Sequence, residues 1–322
     1  MTALLGVFTG WLLFAALVLA LGSVSARWLL VPRAAPASPS GSRSSSNAAS
    51  SGASGGSTAY GQPPAASHLL DTAARLGFFA TLLLPLAMGL VFQRQLSEFR
   101  DPFVPWGEDA SLLLTGTSWG RTWLVGTFVA LAAAVALALC RAEIRGSWPL
   151  ATVILLALAT FPALTGHAAG TEALRPLTLT ADTLHVLAAG SWIGGLAFVL
   201  YAERRWRRAG ADGSLLPVLV PAFSPVAITS VVTLVATGSI ASLVHLESVS
   251  ALVSTPYGRL LSIKLLLVAM VLAMGAVNWR VLTPRLGDPD GDVALRRAAL
   301  VELTVAQLVL VVTAVLVRTS PL

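Results

Sequence analysis

The 322-residue chain has one cysteine, Cys140, and only 11% charged residues. A single thiol excludes an intrachain disulfide framework. It also excludes a zinc or iron–sulfur centre built from several cysteines. No G-x-x-x-x-G-K-[ST] stretch occurs, so the sequence offers no phosphate-cradling loop for ATP-driven pumping. Methionine is scarce too: Met1, Met88, Met270 and Met274 cannot build a continuous thioether path across a bilayer. Arginines occur in short runs beside apolar stretches. The formal net charge of +6 therefore points to a membrane surface and not to nucleic acid.

Apolar sequence is abundant: 56% of residues are hydrophobic and the mean hydropathy is +0.79. A soluble core needs far less, so the expected class is an all-α, polytopic transmembrane helical bundle in a lipid bilayer. Eight runs are long enough to span. They cover approximately Leu4–Leu30, His68–Leu96, Trp119–Cys140, Trp148–Ala168, Thr178–Tyr201, Leu216–Leu246, Tyr257–Leu282 and Val293–Val317. The first run (residues 1–31) lacks a basic leader and is long for a signal peptide, so it is expected to be retained. Residues 32–67, rich in Ser, Gly, Ala and Pro, read as a flexible linker before a seven-helix domain over 68–322. Residues 97–118 are too polar to span, and Phe103 and Trp106 are expected at headgroup depth. No repeat of fixed period stands out.

Positive charge sets an expected orientation. The loops after the first, third, fifth and seventh runs hold thirteen arginines, against six basic residues in the others. Basic loops collect in the cytoplasm. Both termini are then expected outside, with the Ser-rich linker inside.

Histidine placement is the most informative feature. His167 lies near the end of the fourth run, His185 two turns into the fifth, and His245 near the end of the sixth. Alternation puts all three on one side, the outer one by the charge count, and leaves His68 on the other. Neutral imidazole suits copper, zinc, iron and nickel. Asp182 precedes His185 by three residues on the same helical face. It can orient the ring, ligate directly, or cap the helix. Intramembrane histidine can equally hydrogen-bond between packed helices, and His245 suits a solvated interface as well as a ligand role. Met270 and Met274, four apart, are possible soft ligands or simple packing. Gly190 and Gly194 form a G-x-x-x-G pair that permits close helix approach, while Trp192 can wall the site or pack. Pro221 and Pro225 are expected to kink the sixth run. Lys264 reads as a snorkelling cation, and Glu302, deep in the eighth run, needs a partner, water or a proton.

Several blocks carry a resemblance: "GHAAG", "DTLHVLAAGSWIGGL", "GTSWGRTWLVG" (Gly116–Gly126) and "STPYGRLLSIKLLLVAMVLAMGAVNWRVLTPRL" (Ser254–Leu286). In order and spacing they resemble the copper resistance protein D (CopD) family, with the core of the likeness at about 148–286. The resemblance implies an eight-helix bacterial inner-membrane protein that moves copper, often with a periplasmic copper-binding partner of the CopC type. The matching positions include His167, Asp182, His185, Trp192, Gly194, Gly195, Tyr257, Gly258, Arg259, Lys264, Asn278 and Pro284. The expectation is a copper ion held by His167 and His185, with Asp182 completing or orienting the site, in a transporter or homeostasis protein and not an enzyme. Two other readings stay open: a haem-binding membrane redox protein, for which His68 alone is available on the inner side, and a metal-free scaffold.

Overall fold

The computed structural model describes residues 2–34, 65–166, 174–245 and 248–319. Among them are eight helices long and apolar enough to cross a membrane: Leu4–Ala34, Ala66–Phe99, Ser118–Arg141, Ser147–Thr165, Arg175–Arg208, Leu216–Val244, Pro256–Arg285 and Pro289–Leu316. They are numbered here as the first to eighth spans. The chain is a multi-pass, all-α membrane protein. Most spans run longer than their apolar cores, because helical hydrogen bonding continues into the flanking arginines. The helix of the first span reaches Ala34, and that of the second starts at Ala65. The Ser/Gly-rich stretch between these ends lies outside the described residues.

The first and fifth spans are central. In their most apolar windows 44% and 56% of residues are buried, against 11% in the seventh. One apolar cluster joins the first four spans through Leu17, Ala74, Leu137 and Leu155. A second joins the first span to the fifth, sixth and eighth through Leu30, Phe198, Leu219 and Leu310. Gly22 and Gly194 bring the first and fifth spans together backbone to backbone: a Cβ on Gly22 would strike the Gly194 main chain, and one on Gly194 would strike Val18 O and Gly22. Gly190 packs against the side chain of Leu21. The small-residue spacing thus does what that pattern does in membranes.

Among the described residues, three spans contain a π turn, a local i→i+5 widening: Ala26–Leu30, Gly190–Gly194 and Asn278–Leu282. The fourth span breaks between its helices Ser147–Leu158 and Phe161–Thr165. Pro162 supplies no N–H to the Leu158 carbonyl, which ends the first of them. Pro221 and Pro225 lie within the uninterrupted helix Leu216–His245. The segment before the third span forms a short helix, Trp106–Ser111, and a π turn, Leu112–Gly116. Phe103 there is 95% exposed, as a side chain at headgroup depth would be.

A repeat does emerge in three dimensions. "TSWGR" opens the third span and "TPYGR" the seventh, four spans apart. In each, the threonine caps the helix: Gly120 N donates to Thr117 Oγ1 and Gly258 N to Thr255 Oγ1, both at 2.9 Å. Each capping hydroxyl also donates back, to Leu113 O and Ala251 O. In each, the glycine lies where a Cβ would collide with the preceding turn. Packing follows the same relation. The first span lies on the second as the fifth lies on the sixth, and the third on the fourth as the seventh on the eighth. One relation breaks it: the second and third spans pack closely, whereas the sixth and seventh scarcely meet.

The arginine-rich end is tied by ion pairs. Asp71 accepts from Arg205 at 2.8 Å and from Arg75 at 2.9 Å. Glu203, fully buried, accepts from Leu215 N at 2.8 Å and faces Arg296 at 3.8 Å. His68 packs edge-on against Trp206 there, ring centroids 5.3 Å apart, with Nε2 3.4 Å from Ala202 O.

Candidate functional site

The fifth span starts at Arg175, so Asp182 sits in its third turn and does not cap it. His185 follows one turn later. Its Nδ1 lies 2.9 Å from Thr237 Oγ1 on the sixth span. The Thr237 hydroxyl has its own acceptor, Thr233 O at 2.7 Å. With that proton engaged, Thr237 Oγ1 presents lone pairs to the ring, and His185 Nδ1–H donates to it. A neutral imidazole held this way has an unprotonated Nε2, the form that ligates metals. The arrangement of a ligating ring oriented by a hydrogen bond to its other nitrogen is the usual one. Thr237 holds that nitrogen, and Asp182 lies one turn before the ring on the same span. Gly238 lies beside the ring: a Cβ there would reach only van der Waals contact with Cε1, at 3.8 Å.

Asp182 looks across to the seventh span. It lies within electrostatic reach of Lys264 and of Tyr257, and Lys264 is also felt by His185. Lys264 is half-buried and Tyr257 buried. The lysine expected to snorkel therefore has a carboxylate opposite it. These groups come from three spans: Asp182 and His185 from the fifth, Thr237 from the sixth, and Tyr257 and Lys264 from the seventh.

The other sequence candidates distribute unevenly. His167 lies outside the described residues, and so does the side chain of His245, which closes the helix of the sixth span. Among the described residues, no three His, Cys, Asp or Glu side chains come together as a metal cluster. Met270 and Met274 part company: Met270 is 43% exposed on the outer surface of the seventh span, and Met274 packs into the apolar cluster around the fifth. Trp192 is buried in the π turn of the fifth span, near the Glu302 carboxylate. Asn278 Nδ2, from the π turn of the seventh span, donates to Glu302 Oε2 at 3.0 Å. Glu302 thus has the partner its sequence position demanded.

Sequence reasoning overlooked Thr237. A signal existed: Thr229, Thr233 and Thr237 recur every four residues in a mostly apolar span, which marks a polar stripe on one helical face. Asn278 as partner of Glu302 had no local signal, since 24 residues separate them.

Comparison with known proteins agrees with this architecture. The family described as "Copper resistance protein D-like, N-terminal domain" matches residues 1–177, and "Copper resistance protein D" matches residues 217–316. The copper transport protein CutJ of Bacillus subtilis (strain 168) is 31% identical over 168 residues, 51% of this chain and 30% of that protein. Copper resistance protein D of Pseudomonas syringae pv. tomato is 30% identical over 184 residues, 54% of this chain and 57% of that protein. The chain thus spans less than two thirds of the length of either relative. No solved structure matches. With one family description covering more than half of it and a second most of the remainder, the chain belongs to the copper resistance protein D-like family.

Proposed function

We propose that this protein takes up a copper ion at the histidine end of the bundle and passes it through the membrane, in copper transport or resistance. The observation that carries the reading is the His185–Thr237 pair, which leaves Nε2 of an intramembrane imidazole free to ligate. His167 and Asp182 are the further donors, with His245 at the mouth. The names of both relatives, a copper transport protein and a copper resistance protein, support transport or resistance over catalysis. The arginine distribution supports a cytoplasmic arginine-rich end. The histidine end then faces the periplasm of a bacterial inner membrane, with both termini outside. A periplasmic copper-binding protein of the CopC type is the partner proposed to deliver the ion.

Lys264 fits this reading as the resting occupant of the Asp182 charge. An arriving cation replaces the ammonium as the neighbour of the carboxylate, so the site is never an isolated negative charge in hydrocarbon. The test is copper analysis of the full chain purified in detergent, wild type beside His185→Ala and His167→Ala. Copper retention should fall to background in the His185 variant. Equal occupancy in all three would remove the assignment.

A further inference from the structure

Glu302 takes no part in the copper site proposed above, yet it is a buried carboxyl within a membrane span. It is 7% exposed and sits midway along the eighth span, Pro289–Leu316. At 1.5 Å per residue it is about 20 Å from either end of that helix. Its hydrogen-bond donor is Asn278, with Trp192 nearby, and neither is titratable. Among the described residues no arginine, lysine or histidine pairs with it: Arg296, nearly two turns away on the same helix, faces Glu203. Gly275 lines the other carboxylate oxygen, where a Cβ would stand 3.8 Å from Oε1. The acid therefore has a donor on Oε2 and a small-residue wall beside Oε1.

A lone carboxylate without a counter-cation is strongly disfavoured at the centre of a bilayer. The Asn278 N–H donor eases that cost without cancelling the charge. It comes from the π turn of the seventh span, and the π turn of the fifth brings Trp192 nearby. Such widened turns recur at functional sites. Buried carboxyls at this depth mark proton relays in membrane transporters.

We infer that Glu302 is an intramembrane proton-binding site, holding one proton as a neutral carboxylic acid while Oε2 accepts from Asn278. The ligand is a single proton. The site lies where three spans meet, so a proton bound or released there changes the charge of the junction that joins the fifth, seventh and eighth spans. This goes beyond the copper reading and does not need it.

The test is infrared difference spectroscopy of the full chain reconstituted in lipid at neutral pH, wild type beside Glu302→Gln. Glutamine imitates the neutral acid in shape and hydrogen bonding, so the variant should fold. Wild type should show the carbonyl stretch of a protonated carboxylic acid, shifted on deuterium exchange, and the variant should lack it. No such band in wild type, or an undiminished band in the variant, overturns the inference. If Glu302→Gln fails to fold, Asn278→Ala serves instead. Loss of the donated hydrogen bond should move the band to higher frequency, and an unmoved band overturns the assignment. His185→Ala separates the two proposals, because it should abolish copper retention and leave the carboxyl band in place.

Discussion

Thr237 holds the imidazole of His185 across the boundary between the sixth and fifth spans, Oγ1 to Nδ1 at 2.9 Å. Replacing Thr237 by valine keeps the shape and removes the acceptor. Outer hydrogen-bond partners of this kind are commonly worth about 10–100-fold in metal affinity. Copper affinity of Thr237→Val, measured by competition with a chelator, should fall by about that factor while the protein stays folded. Unchanged affinity would mean that the ring is not oriented from the sixth span.

The crossing of the first and fifth spans permits a prediction with a built-in control. In Gly22→Ala or Gly194→Ala the new methyl meets main-chain atoms, which cannot rotate away. Overpacking of this kind costs about 1–3 kcal/mol. Gly89, within the second span, has nothing within 4 Å of a built Cβ. Gly89→Ala should instead stabilise by about 0.5–1 kcal/mol through helix propensity. Thermal or denaturant unfolding in detergent should show opposite signs for the two kinds of variant.

Glu203 is the polar pin of the arginine-rich end. Glu203→Ala strands the Leu215 N–H and leaves Arg296 without its carboxylate. Breaking one side of a buried pair costs about 3–5 kcal/mol. Glu203→Gln keeps an acceptor for Leu215 N and should cost clearly less. Equal losses in the same unfolding assay would show that the charge, and not the loop hydrogen bond, dominates.

Orientation can be read by thiol labelling in a Cys140→Ser background. Ser45→Cys, in the Ser-rich stretch, should react only from the cytoplasmic side. Ser250→Cys, at an exposed position after the sixth span, should react with an impermeant reagent from outside. The reverse pattern would invert the proposed direction of copper entry.

The spans were legible because crossing hydrocarbon demands apolar length, and length is written locally. Their ends were less so: Arg175 and Arg208 extend the fifth span well past its apolar centre, since helical hydrogen bonding does not stop where hydropathy does. The likeness between "TSWGR" and "TPYGR" escaped a search for fixed period. The Ser/Gly-rich stretch lengthens only the first half, so no single period holds across the chain. At the site, His185 and Asp182 were visible as ionisable residues in an apolar run. Their neighbours Thr237, Lys264 and Tyr257 come from other spans, and contacts between spans leave no local pattern. The pairing of Glu302 with Asn278 is hidden for the same reason. Met270 and Met274 illustrate the converse: a four-residue spacing puts two side chains near one face, but neighbouring helices decided that one is covered and the other is not.

The widened turn at Gly190–Gly194 has one more consequence. It holds a residue more than an ordinary helical turn, and the widening absorbs that residue. Deleting one residue there would let the turn relax to α geometry and leave Phe198, Glu203 and Trp206 near their present faces. A second deletion in the same span finds no such slack. At about 100° per residue it would swing Glu203 away from Arg296 and Phe198 out of the core, although no amino-acid type had changed on either side. One deletion at the widened turn should therefore be far less damaging than two.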